Sequence, residues 1–163
     1  MSESTGAEAA DEIFNVTPER DPVEAAAARV ARLMAQPGLA QAQGFEVVQA
    51  APGEVTLAVS ARPTLMASRV QFHGGALSAL AEQAAAMAAA TVLPEDKGAA
   101  TVSVIVNHHR AAVGQRIYAL ARVVSAAPVM TVVEVRLEAE SFGGRGPCGS
   151  AQVKLRTVPA GHV

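Results

Sequence analysis

The stretch Phe72-His73-Gly74-Gly75-Ala76-Leu77-Ser78-Ala79-Leu80-Ala81-Glu82-Gln83 decides the architecture; it continues in Ala and Met to Val92-Leu93 and is stopped by Pro94. The spacing predicts a helix from Gly75 to Leu93, close to 28 Å long at 1.5 Å per residue. Its interior is apolar on nearly every side, as in a helix enclosed by other structure. Its many alanines let a surrounding sheet approach closely.

Downstream, strand patterns follow one another. Val102, Val104 and Val106 alternate with Ser103, Ile105 and Asn107 within Thr101 to Arg110, and a second run spans Arg116 to Ser125. In a third, Val133, Val135, Leu137 and Ala139 face one way while Glu134, Arg136, Glu138 and Glu140 face the other. In the fourth, Gly149, Ala151, Val153 and Leu155 point inward, with Ser150, Gln152, Lys154 and Arg156 in water. The short connections Ala127-Pro128 and Gly143 to Pro147 predict neighbours paired antiparallel as a meander. The expected fold class is α+β: one curved antiparallel sheet of about five or six strands wrapped around one long central helix.

Upstream, Asp21 fits an N-cap and Pro22 a first helical residue, and Val23, Ala26, Ala27, Val30, Leu33 and Met34 recur at helical spacing until Pro37-Gly38. A loop follows, then the turn signal Pro52-Gly53 and an alternating strand through Val55, Leu57 and Val59. Residues 1 to 24 carry seven acids against Arg20 alone, a local charge of −6 that leaves +4 for the rest of a chain of net −2. The first 20 residues read as an acidic flexible tail, and residues 21–163 as a single domain.

Composition narrows the function. At 163 residues, with 50% hydrophobic and 17% charged residues, the chain is long and apolar enough for one ordinary domain with a real core. Only 3% are aromatic and none is Trp, which disfavours a stacking platform for single-stranded nucleic acid. The net charge of −2 lacks the basic footprint of a duplex binder, so no nucleic-acid partner is expected. The first residues lack the basic-then-apolar order of a signal peptide, and Glu82 and Gln83 interrupt the longest apolar stretch, so a cytoplasmic protein without membrane association is expected. The lone Cys148 makes no internal disulfide, and no Cys/His spacing fits a metal site.

Chemistry concentrates at the helix and its entry. Ser78 and Glu82 share a stripe, and no Lys or Arg stands at the positions that would pair with Glu82 along the helix. Two readings stand: a functional carboxylate held in an enclosed face, or a good helix former on a side that sees solvent. In His73-Gly74-Gly75 the glycines allow unusual backbone angles and leave N–H groups free at the positive end of the helix, a site that can hold an oxyanion; the plain alternative is a turn that needs small residues. His108 and His109 are adjacent on a strand, point to opposite faces and do not share a metal. Arg69, Arg110, Arg116 and Arg145 are either phosphate-binding cations or ordinary solubilising charges. Cys148 has no evident base beside it and reads as a structural thiol.

The segment from His73-Gly74-Gly75 to Glu82, with an acid nine residues after the His, resembles the signature of the hotdog-fold acyl-CoA thioesterases of the PaaI-like (4-hydroxybenzoyl-CoA thioesterase-like) branch. The similarity extends over residues 38 to 158. It includes Asn107-His108-His109-Arg110-Ala-Ala-Val-Gly114, which is similar to the Asn-Phe-Leu-Arg-Pro-Ala-x-Gly strand end of that family. The resemblance implies a hotdog fold, a homodimer or a homotetramer with active sites between subunits, and hydrolysis of an acyl-CoA or acyl-carrier thioester with no cofactor beyond the coenzyme A of the substrate.

Carried over by position, Glu82 is the general base or nucleophile and the Gly74 backbone N–H polarises the thioester carbonyl. Substrate-binding positions are His73, Gly75, Ser78, Asn107, His109 and Arg110. Two departures stand out. Fifteen residues before the acid, where the family usually has Asn or Gln, this chain has Ala67, with Ser68 and Gln71 as nearby substitutes. The hairpin that often carries Gly-Arg for coenzyme A phosphates reads Ala126-Ala127-Pro128-Val129-Met130. They favour the alternative class, a non-catalytic hotdog-fold protein that binds an acyl or aromatic ligand or serves as a structural subunit.

Overall fold

The computed structural model describes residues 21–161, so the acidic tail assigned to residues 1–20 lies outside the described residues. Helix α1, Pro22–Met34, starts as its sequence requires: the Asp21 carboxylate accepts from the Val23 N–H at 2.8 Å, and Pro22 fills a first-turn position that needs no donor. A short helix α2, Leu39–Gln43, and strand β1, Glu46–Ala51, occupy what reads in sequence as a loop. Strand β2, Glu54–Ser60, follows a turn in which Gly53 has φ 76°, a conformation that suits glycine.

The central helix α3 runs Gly74–Ala90, three residues short of the predicted Leu93. Thr91 ends it: its hydroxyl donates to the Ala88 carbonyl at 2.7 Å and accepts from the Gly53 N–H at 2.8 Å. Ala81, Ala84, Ala85, Ala88 and Ala89 are fully buried, so the sheet lies close against the helix. The enclosure is incomplete within one chain. Ala76, Ser78, Ala79, Glu82, Gln83 and Ala86 form a half-buried stripe that the sheet does not cover.

Strands β3 (Lys97–His108), β4 (Arg116–Ala126), β5 (Met130–Ser141) and β6 (Gly144–Pro159) complete a six-stranded antiparallel sheet in the order β1-β2-β4-β5-β6-β3. The meander expectation holds for β4-β5-β6 and fails at β3, which pairs with β6 and lies at an edge. The reason is the link 109–115. It does not form a tight hairpin but runs from the edge strand to the sheet interior, held on the way by a bridge between Gln71 and Val113 and by the Phe72 N–H donating to the Ala112 carbonyl.

The β5 and β6 alternation is realised over most of its length: Val133, Val135, Leu137, Ala151, Val153 and Leu155 are buried, while Glu134, Arg136, Gln152, Lys154 and Arg156 are exposed. Beyond a register shift between Leu137 and Glu138 it fades, and Glu138, Ala139, Glu140 and, on β6, Ser150 are half-buried. In β3 a register shift between Thr101 and Ser103 breaks the expected phase. Val104 and Val106 pack on the core with Ala99, whereas Val102 stays 58% exposed. The phase of Val104 and Val106 decides which way the strand's final residues face.

Candidate active site

Three elements meet at the start of α3. His73 is its N-cap, and its Nδ1 accepts from the Gly75 N–H at 2.9 Å, which puts the ring proton on Nε2. The Gly75 N–H is therefore occupied. The Gly74 N–H has no acceptor among the described residues and stands at the positive end of a 17-residue helix. The loop carrying His73 is strapped down by the His73 N–H to the Leu65 carbonyl at 2.8 Å and the Gly114 N–H to the Val70 carbonyl at 3.2 Å.

The two glycines are not there for unusual backbone angles, since both lie in the helix and neither has positive φ. Space is the reason. A methyl on Gly75 would lie 3.1 Å from His73 Nδ1, and one on Gly74 would lie 3.2 Å from His108 Nε2. Both are tighter than ordinary van der Waals contact.

One face of α3 carries Gly74, Ser78 and Glu82 at four-residue intervals. Ser78 donates its hydroxyl to the Gly74 carbonyl at 3.0 Å, which satisfies it within the helix and leaves its oxygen able to accept. Glu82 is half-buried and forms no hydrogen bond or ion pair among the described residues. Its neighbour Gln83 turns toward α1, with Nε2 3.6 Å from Met34 Sδ.

The other predicted residues are divided between places. The Ser68 hydroxyl accepts from the Gln71 N–H at 3.2 Å, so it shapes the loop before His73, and Gln71 is tied to Val113. Ala67 sits in the same turn, its N–H donating to the Gln71 carbonyl. Asn107 and His109 lie on the face of the sheet away from α3. They line a trough of about 840 Å³ with Arg122, Glu134 and Gln152, and His109 Nε2 is 3.1 Å from Ser150 Oγ. Gly74, Ser78 and Glu82 do not line that trough. Arg110 is exposed, with its backbone N–H donating to the Cys148 carbonyl at 3.2 Å.

The histidine that reaches the helix start is His108, which the sequence pattern marks only as one of a surface pair. The signal was the strand phase: Val104, Val106 and His108 share the face toward α3, so His109 takes the other. Cys148 is buried with its thiol pKa raised, first by desolvation and then by the charge of Glu138, as suits an inert core thiol.

A family model described as "Thioesterase superfamily" matches residues 72–142. No curated protein matches the chain in sequence. Among solved structures, a thioesterase family protein from Silicibacter pomeroyi superposes with a TM-score of 0.79 at 23% identity, covering 83% of this chain and 99% of that one. The PaaI protein of the Escherichia coli phenylacetic acid degradation operon gives a TM-score of 0.74 at 15% identity, over 85% and 96%. A mutant of the phenylacetic acid degradation protein PaaI from Thermus thermophilus gives 0.61 at 26% identity, over 71% and 95%. A long helix packed in a six-stranded antiparallel sheet, with the thioesterase match running from the helix entry through β5, defines a hotdog-fold thioester hydrolase. Residues 72–142 match the thioesterase superfamily model, and the fold is similar to that of PaaI and other solved thioesterases.

Proposed function

We propose that the chain hydrolyses an acyl-CoA or acyl-carrier thioester to free acid and thiol, with the Gly74 N–H as oxyanion donor and Glu82 as general base or nucleophile. The observation that carries this reading is the stripe on α3: an amide donor without an acceptor at its start and, two turns on, a half-buried carboxylate without a cation, both among the described residues. In the base route, Glu82 takes a proton from water as the water oxygen bonds to the thioester carbon. The carbonyl electrons shift to oxygen beside the Gly74 N–H, the C–S bond breaks, and the proton returns to the departing sulfur. In the nucleophile route a Glu82 oxygen attacks the same carbon and the resulting anhydride is hydrolysed.

Gly74 and Glu82 are eight residues apart, about 12 Å along the helix axis. That separation supports a site in which the donor of one copy meets the carboxylate of another, and with it a homodimer or homotetramer. The twelve-residue edge strand β3, with Val102 and Ile105 more than half exposed, offers a pairing edge for such an assembly. Substrate contacts are assigned to His73, Gly75, Ser78, Arg110 and the loop of Ser68 and Gln71; Asn107 and His109, on the outer sheet face, would serve only a group reaching over the edge. No helix among the described residues is long and apolar enough to cross a membrane, and a cytoplasmic site of action is part of the proposal.

The test is Glu82→Gln, assayed by free-thiol release over a panel of acyl-CoA thioesters. Turnover should fall by roughly 10²- to 10⁴-fold with the thermal midpoint unchanged. Equal turnover in both proteins rejects Glu82 as the base. The turn around Ala67 places no side-chain amide at that position, which favours the second reading, a ligand-binding hotdog protein. That reading prevails if acyl-CoA binds and neither protein turns it over.

A further inference from the structure

We propose that His108 is a second hydrogen-bond donor at the oxyanion position marked by Gly74. The proposal rests on the thioester hydrolase reading and adds to it a group that no positional comparison supplies.

The ring stands edge-on to the helix start. A methyl built on Gly74 would lie 3.2 Å from Nε2, 3.5 Å from Cε1 and 3.9 Å from Cδ2, so the nitrogen leads. The approach is set by backbone. His108 is the last residue of β3, paired with Gly149, and a side chain at Gly149 would crowd the Asn107 carbonyl at 2.8 Å. Gly149 lets the strand pair closely at His108, and Gly74, before the ring, makes the room in which the imidazole lies.

The donors around this point are sorted by their partners. The Gly75 N–H belongs to His73 Nδ1. The His109 ring meets Ser150 on the opposite face of the sheet. The His73 Nε2 proton, the Gly74 N–H and the His108 ring have no partner among the described residues, and of these the Gly74 N–H and the His108 ring stand side by side at the positive end of α3. With its proton on Nε2, His108 donates to the oxygen that becomes negative when the C–O bond of the attacking group forms. No proton is transferred, and the charge is shared between a backbone and a side-chain donor. Gly74 then has a double requirement: an N–H that points outward and no Cβ to push the imidazole away.

The experiment compares His108→Phe, which keeps a ring and loses the donor, with His108→Gln, which keeps an N–H at the reach of Nε2, both at matched thermal midpoints. Thioester hydrolysis in His108→Phe should lose about 10²-fold in kcat with KM within a few-fold, while His108→Gln retains most of the rate. His108→Leu repeats the first arm should the Phe ring disturb packing. Undiminished kcat in His108→Phe overturns the proposal, as does an equal loss in His108→Gln, which would assign the residue to packing. Absence of turnover in the wild-type protein across the panel overturns the hydrolase reading and this donor with it, whereas an active wild type with a silent His108→Phe overturns the donor alone.

Discussion

Gly114 packs its Cα against the carbonyl of Glu140 so closely that a Cβ there would overlap the oxygen, while the neighbouring Gln115 N–H donates to that oxygen at 2.8 Å. Its φ of 156° also disfavours any side chain. Since the Gly114 N–H holds Val70 in the loop that delivers His73, Gly114→Ala should both lower stability, by roughly 2–4 kcal/mol, and loosen the helix entry. Chemical denaturation measures the first effect. A larger loss of kcat/KM than of folded fraction would register the second.

Subunit complementation tests whether donor and carboxylate come from different copies. Glu82→Gln and Gly74→Val chains, each inactive alone, should regain activity when refolded together, because half of the sites in a mixed dimer carry neither lesion. About a quarter of the wild-type rate is expected for random mixing. No recovery, with mixed dimers verified by mass, would put both groups of a site on one chain.

Arg29 is only 7% exposed, and its guanidinium donates to the carbonyls of Leu93, of Pro94 at 3.0 Å and of Lys97 at 2.8 Å. It thereby pins α1 to the link between α3 and β3. Arg29→Met leaves three carbonyls without their donor and should cost about 3 kcal/mol, with Arg29→Lys intermediate, since an ammonium cannot span all three. Thermal unfolding of the two variants checks the ranking.

Burial raises the pKa of the Cys148 thiol above its unfolded value. The folded state therefore favours the neutral thiol. Its contribution to stability is complete below the ordinary thiol pKa of about 8.5 and is lost as the pH rises from there through the folded value. The unfolding free energy should decline across that alkaline window, and less steeply in Cys148→Ala. A thiol reagent should react only as fast as the protein opens.

Much of the fold was written in local pattern. Asp21-Pro22 opens α1 where capping chemistry says it must, and the inward set of β5 and β6 is the set that alternation marks. β1 escaped notice because Val47, Val48 and Gln49 are all exposed and a register shift falls between Val47 and Gln49, so no period of two survives. The edge position of β3 depends on a pairing with β6 some fifty residues away in sequence, which no short-range signal encodes. At the site, the Gly74 and Glu82 stripe follows from helical spacing alone. The choice of His108 over His109 was legible too, in the alternation of Val104 and Val106, because the bulge at Thr101 and Ser103 lies upstream and turns only Val102 outward.

The pairing of β3 with β6 also orders events at the ribosome. α3 and β3 emerge early, but the partner that completes β3 is made after the other strands of the sheet, seconds later at the usual 5–20 residues per second. Until Gly144–Pro159 has left the exit tunnel, Lys97–His108 is a long apolar strand with both edges bare. A chain that stalls within β6 therefore exposes an aggregation-prone strand beside an unfinished site, and chaperone dependence should be greatest for nascent chains of that length.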